Sequence, residues 1–306
     1  MIFIDREGII VKGVGGAYVV LAENKHYVCT PRGIFRNRNT TPLIGDYATI
    51  SVTDEEKKLA TLHTIKPRKN QLRRPPVANI DQVIITVSTV QPAFNAGLLD
   101  RFLVQAEYEG IAAVICINKY DLHEGPDTAF MPYAQAGYPV VKLSTVSGQG
   151  LDELRNLMEG KLNVFAGPSG VGKSSLINAL VPGADMEVGV ISDRLKRGKH
   201  TTRHAEILRL DAGHFGTASQ GGTGYSFVVD TPGFSALEVE GIPAGELAGL
   251  FPEFAPFLGM CKFSDCLHDK EIDCAVKVQV GEKISRLRYE SYQGFVRDAA
   301  SKRDNR

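Results

Sequence analysis

Neither sign of charge prevails in this sequence. Thirty-five Lys and Arg stand against 35 Asp and Glu in 306 residues, so the formal net charge at pH 7 is zero. A neutral total removes the whole-chain signature of a polyanion binder. No stretch is apolar for long enough to cross a bilayer, and the opening MIFIDREGII lacks the layout of a signal peptide. The expectation is a cytoplasmic protein with no membrane partner. Cysteine is scarce and odd in number, five in all, which argues against a disulfide framework. Cys29 and Cys116 each sit alone in an apolar, strand-like run and read as small core residues. Cys261, Cys266 and Cys274 cluster.

The even total hides an uneven distribution. Residues 1–76 hold thirteen Lys or Arg against seven Asp or Glu. A basic first module fits an anionic partner, with solvated surface charge as the alternative. The same region, residues 1–67, carries short apolar runs separated by Gly, Pro, Asn and Asp, which predicts a small all-β barrel of the OB-like kind. KPRKNQLRRPPVANID, residues 66–81, reads as an extended, proline-bearing linker. Beyond it QVIITVST, IAAVICINKYD, PVVKLST, LNVFA and YSFVVD read as strands. NAGLLDRFLVQAEYEG, GLDELRNLM and SSLINALV read as helices between them. Alternating strands and helices predict a mostly parallel sheet covered on both faces over 68–240. Residues 241–306 turn mainly helical around the Cys/His cluster.

Gly167 to Ser174, GPSGVGKS, has the G-x-x-x-x-G-K-[ST] pattern between a strand and a helix. The backbone of Gly167, Pro168, Ser169, Gly170, Val171 and Gly172 would curl around phosphates, its N–H groups (Pro168 has none) donating to them with the aid of the helix N-terminus. Lys173 would reach the β- and γ-phosphates, Ser174 would hold Mg²⁺, and Ser175 would add a contact to the α-phosphate. DTPGF, residues 230–234, supplies a D-x-x-G element: Asp230 for Mg²⁺ and the Gly233 amide for the γ-phosphate. Between the two elements lies SDRLKRGKHTTRHAEI, a polar loop whose Thr202 is the first choice to complete the metal shell and Thr201 the second.

INKYDL, residues 117–122, ends a buried strand with an N-K-x-D pattern. Asp121 would accept two hydrogen bonds from guanine's ring N–H and exocyclic amine, a donor pair adenine lacks. Asn118 would hold the base edge and the Lys119 stem would lie along the ring. LSTVSGQGLDEL follows with Ser144 and Thr145 placed for a main-chain contact to the base. These elements together predict GTP and GDP as ligands. Their order is reversed from the common one, with the base reader first and the phosphate loop second. A pocket needs its loops adjacent in space, so the order predicts a circularly permuted GTPase domain.

Cys261, Cys266, His268 and Cys274 form C-x4-C-x-H-x5-C. Three thiolates and one imidazole suit a tetrahedral structural Zn²⁺ with no open position for water.

The permuted order, the OB-like module and the Cys/Cys/His/Cys cluster together resemble the ribosome small-subunit-dependent GTPase A family, also called RsgA or YjeQ. The resemblance spans nearly the whole chain through LLDRFLVQAE, NKYDL, GPSGVGKSSLIN, GKHTTRH, DTPGF and CKFSDCLHDKEIDC. It implies an OB barrel, a permuted GTPase domain and a helical zinc domain. It further implies binding to the small ribosomal subunit and its rRNA, a role in late maturation, and GTP hydrolysis stimulated by that subunit. Other maturation factors would be further partners, and the chain is expected to be a monomer.

One position departs from ordinary GTPases. Phe234 follows D-x-x-G where a water-orienting glutamine is usual, so intrinsic hydrolysis is expected to be slow. His200 resembles the family's candidate for that role. His204 is a competitor, and an exposed loop histidine without a catalytic role is the plain alternative. Phe234 also keeps open a second class: an RNA-binding assembly factor that uses guanine nucleotide as a binding-state signal with little hydrolysis.

Overall fold

Strand β1 (Ile4–Val14) reverses at Gly15 and Gly16 into β2 (Ala17–Ala22), so one apolar run becomes a hairpin. β3 (Lys25–Pro31), β4 (Tyr47–Asp54) and β5 (Leu59–Ile65) follow. The computed structural model describes residues 4–33, 35, 41–72, 76–181, 206–210, 226–230 and 241–301. β1 pairs with β2 through its second half and with β4 through its first. β3 pairs in parallel with β5, and β5 antiparallel with β4. The five strands therefore close in the order 1-2-3-5-4-1, the expected OB-like barrel. Alternate side chains fill it: Ile10, Val20, Tyr27, Cys29, Ile50 and Leu62 are buried together. Burial pushes the Cys29 thiol up to about 12, which makes it an inert core residue. Cys116 is equally buried.

The strands and helices expected from QVIITVST to YSFVVD are present, and shorter elements join them. The remaining elements are β6 (Gln71–Leu72), β7 (Val77–Ala78), β8 (Gln82–Ser88), α1 (Ala96–Tyr108), β9 (Ala112–Asn118), α2 (Met131–Gln135), β10 (Val140–Lys142) and α3 (Leu151–Met158). After these come β11 (Leu162–Ala166), α4 (Lys173–Leu180), β12 (Glu206–Leu210), β13 (Ser226–Asp230), α5 (Ala244–Leu247), α6 (Ala275–Val278) and α7 (Arg286–Ser301). No helix among the described residues is long and apolar enough to cross a membrane.

The chain divides into two compact units. One comprises Met1–Val83, Leu151–Phe165 and Lys173–Phe234; the other comprises Ile84–Gly150, Ala166–Gly172 and Ser235–Arg306. In the first unit β11 pairs in parallel with β13, β13 antiparallel with β12, and β12 reaches the barrel strand β1 where Glu206 faces Lys12.

Residues 66–81 differ from the expected extended linker. β6 and β7 form a short hairpin, and side chains tie it down. The Asp46 carboxylate, fully buried, receives Arg68 through two hydrogen bonds of 2.7 and 2.8 Å. Asn79 donates its amide to the Gly45 carbonyl at 2.9 Å and accepts from the Lys69 N–H at 3.0 Å. Asp81 exchanges bonds with Leu162 of β11, donating its N–H at 3.0 Å and accepting at its carboxylate at 2.7 Å. Composition favoured extended backbone; the buried carboxylate, which needs a partner, decides otherwise.

In the second unit β8, β9 and β10 are neighbours, with β9 and β10 parallel. β8 and β9 are mostly apolar and almost wholly buried, as strands covered on both faces require. Asn95 caps α1 by accepting from the Leu98 N–H at 2.9 Å, and the helix buries Leu99, Phe102, Leu103 and Val104. The C-terminal part is mainly helical as expected. Its core joins Phe251, Phe254, Val276, Tyr292 and Phe295 to Val104 of α1. Arg288 of α7 lies inside this core, 1% exposed at its side chain. It donates to Asp100 of α1 at 2.6 Å and to both oxygens of Glu253 at 2.7 and 3.0 Å. Its guanidinium also stands 4.8 Å from the Phe251 ring centroid.

Candidate functional site

β11 runs out into the loop Gly167–Gly172, and α4 begins at Lys173. Two glycines have steric reasons. Gly167 has φ +138°, and a Cβ there would stand 2.1 Å from the Thr86 carbonyl oxygen. Gly172 has φ +94°, and a Cβ there would lie 2.4 Å from the Asn118 amide nitrogen. At Gly167 the Cβ would meet fixed backbone, at Gly172 it would displace the Asn118 amide, and at both φ lies where L side chains are strained, so glycine suits both points. Burial depresses the Lys173 ammonium to about 8.

The N-K-x-D turn is held against that loop. Asn118, 1% exposed, donates Nδ2 to the Val171 carbonyl at 2.8 Å and accepts the Lys119 N–H at Oδ1, also 2.8 Å. Lys119 takes a left-handed backbone, φ 58° and ψ 32°. Its ammonium donates to the Gly170 carbonyl at 2.9 Å and the Gln91 carbonyl at 2.5 Å. Asn118 and Lys119 therefore also brace the phosphate loop, a role beyond the base contact expected of them. A one-turn 3₁₀ helix at Tyr120–Leu122 follows, and it leaves Asp121 exposed. The Asp121 carboxylate makes no hydrogen bond or ion pair to a described residue.

Ser144 is fully buried, and its hydroxyl accepts from the N–H groups of Val146 and Ser147, both at 3.2 Å. The hydroxyl thus shapes its own loop. Tyr120 donates its N–H to the Leu143 carbonyl at 3.0 Å, so this loop and the N-K-x-D turn are joined.

Asp230 ends β13. Val229 faces Val164 across the parallel pair, so Asp230 leaves its strand level with the exit of β11. Thr201, Thr202, His200, His204, Gly233 and Phe234 lie outside the described residues. Thr89, whose hydroxyl donates to the Lys119 carbonyl at 3.0 Å, and Gln91 were not singled out from sequence. They lie some thirty residues before the turn they support, and no local pattern marks them.

The four expected metal ligands converge, with all ligand atoms within 4.8 Å of one another. His268 Nδ1 is 3.4, 3.5 and 3.3 Å from the sulfurs of Cys261, Cys266 and Cys274, and the Cys261 and Cys274 sulfurs are 3.8 Å apart. Ligand atoms of a tetrahedral zinc stand roughly 3.5–3.8 Å apart, so the residues fit the ion. Burial lowers the His268 imidazole below its usual value, favouring the neutral form that a metal needs. α7 fastens the loop: Tyr289 donates its hydroxyl to the His268 carbonyl at 2.7 Å and Tyr292 to that of Leu267 at 2.5 Å. Glu271 accepts from the Leu267 and Asp269 N–H groups at 2.8 and 2.9 Å.

The family described as RsgA GTPase matches residues 65–240, and the RsgA N-terminal domain matches residues 7–59. The chain belongs to the RsgA GTPase family. As a member of that family it is a GTP hydrolase with a circularly permuted GTPase domain. Curated relatives agree along nearly the whole length. The small ribosomal subunit biogenesis GTPase RsgA of Alkaliphilus metalliredigens is 43% identical over 289 residues, covering 94% of this chain and 95% of the relative. The protein of the same description from a Geobacillus strain is 44% identical over 298 residues, covering 95% and 97%. Among solved structures, YjeQ from Thermotoga maritima superposes with a TM-score of 0.81 at 34% identity, covering 97% of this chain and 99% of that one. YloQ, described as a circularly permuted GTPase, gives 0.77 at 37% identity, covering 98% and 96%. The family accounts for the barrel, the guanine nucleotide and its Mg²⁺. The Cys/His cluster is a site that could hold zinc.

Proposed function

We propose that this RsgA-family chain is a cytoplasmic GTPase of small-subunit maturation that docks on the small ribosomal subunit and its rRNA, hydrolyses GTP to GDP and phosphate when so docked, and then leaves. The observation that carries it is the junction of Asn118 with Val171 and of Lys119 with Gly170, which makes one recognition surface from a base reader and a phosphate loop. The RsgA relatives' description as small ribosomal subunit biogenesis GTPases supports the subunit as partner. In this reading Asn118, Lys119, Asp121, Ser144 and Thr145 hold guanine, and residues 167–175 hold the phosphates. Ser174, Thr202 and Asp230 would hold Mg²⁺, which neutralises charge on the phosphates when bound. Gly233 meets the γ-phosphate and His200 orients water in place of the glutamine that Phe234 excludes. Cys261, Cys266, His268 and Cys274 hold a structural Zn²⁺. The division into domains at residues 67 and 240 belongs to the same reading.

The test is GTP hydrolysis by the full chain with and without small subunits, alongside His200→Ala. Strong stimulation that His200→Ala abolishes, with GTP binding retained, supports the proposal. Subunit binding without stimulation would instead make the nucleotide a binding-state signal.

A further inference from the structure

The residues around the exposed Asp121 form a side-chain cluster with no part in the nucleotide chemistry described above. The Tyr120 hydroxyl donates to Asp127 Oδ1 at 2.8 Å. Lys142 donates to Asp127 Oδ2, and its ammonium also lies 5.4 Å from the Tyr120 ring centroid. The His123 ring stacks on Tyr120 with centroids 5.0 Å apart and planes at 26°, and its Nε2 is 3.3 Å from Asp127 Oδ1. One carboxylate therefore joins three segments. Tyr120 is the residue before Asp121. Asp127 sits on a separate one-turn helix at Asp127–Ala129. Lys142 is the last residue of β10, two positions before Ser144.

The backbone alone fixes the Asp121 turn weakly. Its internal bonds are Leu122 N–H to the Lys119 carbonyl and His123 N–H to that of Tyr120, both 3.0 Å. Such a single turn exchanges easily with other turns, since 3₁₀ bonds are poor and short runs have no cooperativity. Across to the neighbouring loop the backbone offers the Tyr120 N–H to Leu143 carbonyl bond, and a charge-assisted side-chain bond adds a second constraint. Among the described residues, Tyr120 and His123 approach one Asp127 oxygen from the turn, and Lys142 reaches the other from the end of β10.

We propose that Asp127 is a positioning residue for guanine discrimination: by holding Tyr120 and Lys142 at once, it fixes the distance between the Asp121 turn and the Ser144–Thr145 loop. This rests on the reading of Asp121 as the guanine reader. The ionisation states agree with it. The hydrogen bond from Lys142 holds the Asp127 carboxyl below its usual range, and the hydrogen bond to Asp127 raises the Tyr120 hydroxyl. Asp127 is thus an anionic acceptor, and Tyr120 a neutral donor, throughout the neutral range. Guanine differs from hypoxanthine by the exocyclic amine, one of the two donors that Asp121 would accept. A turn that has lost its brace should therefore lose GDP affinity faster than IDP affinity.

The experiment measures GDP, IDP and XDP affinity and the GDP dissociation rate for the full chain and four variants. Asp127→Ala and Lys142→Met are expected to weaken GDP about tenfold, the effect of losing one charge-assisted bond's ordering, while IDP changes less and the GDP-over-IDP preference shrinks. Asp127→Asn keeps an acceptor for Tyr120 and should recover part of that preference. Equal loss of GDP and IDP in both Asp127→Ala and Lys142→Met, or no loss in either, overturns the positioning role. The fourth variant, Asp121→Asn, separates the two readings. If it gains XDP while Asp127→Ala leaves the preference intact, only the positioning proposal fails. If it changes neither GDP nor XDP, the base reading itself is wrong.

Discussion

The amide of Asn118 spans from the end of one strand to the carbonyl of Val171, 2.8 Å away, and the same amide nitrogen would be 2.4 Å from any Cβ placed on Gly172. The N-K-x-D turn and the glycine-rich loop thus meet at this nitrogen, as they do at the Lys119 ammonium. Gly172→Ala must break that contact and strain a backbone at φ +94° as well. It is expected to weaken GDP by roughly two orders of magnitude, from a strain of about 1–3 kcal/mol plus a lost hydrogen bond. Fluorescent GDP titration checks it, with circular dichroism to confirm the fold. An unchanged affinity would mean that the loop relocates on binding.

Lys173 supplies a pH prediction. Burial holds its ammonium at about 8, and bound phosphates raise it because an adjacent anion favours the charged form. A group whose pKa rises on binding takes up protons between the two values. GDP binding should therefore be fully supported below pH 8 and weaken as pH climbs above it. Calorimetry at pH 8 in two buffers of different ionisation heat should record net proton uptake, and Lys173→Met should abolish it. Equal heats in the two buffers contradict the assignment.

The cysteine cluster predicts one zinc per chain. Cys274→Ser should remove it and expose the loop to protease. Tyr289→Phe removes only the hydroxyl that holds the His268 carbonyl, and outer-shell losses of this kind cost about 10–100-fold in metal affinity. Competition with a chromophoric chelator measures both. Tyr289→Phe with wild-type zinc affinity would show that the tyrosine braces the helix alone.

Arg288 is worth most when removed. Arg288→Ala leaves Asp100 and Glu253 buried without their cation, a change that costs about 3–5 kcal/mol. Thermal melts should show a large drop in midpoint. Adding Asp100→Asn and Glu253→Gln to that variant should recover part of it, because neutral groups are cheaper to bury. A small drop in the single variant would mean that water reaches the two acids.

Much of this arrangement could be read from residues. Gly167, Gly172 and Lys173 announce the loop because phosphate binding demands bare backbone and a cation at fixed spacing. The N-K-x-D turn and the C-x4-C-x-H-x5-C cluster are just as local. What escaped the sequence is what depends on distant partners. Asp127 meets Lys142 across fifteen residues, and in sequence both look like ordinary surface charge. Arg288 sits in a polar helix, and nothing nearby says that two acids and aromatic rings enclose it. Residues 66–81 failed for the same reason: proline content sets backbone preference, but the buried Asp46 sets where the backbone goes.

That segment has a consequence for how two ligands are held. A barrel on a slack tether would sweep a volume set by tether length, and engaging a second surface would mean paying to restrict that sweep. Here Arg68 and Asn79 clasp the barrel at Asp46 and Gly45, and Asp81 clasps β11, the strand that opens into the phosphate loop. Whatever holds the barrel therefore also holds the first residues of β11, at a fixed place and without a search.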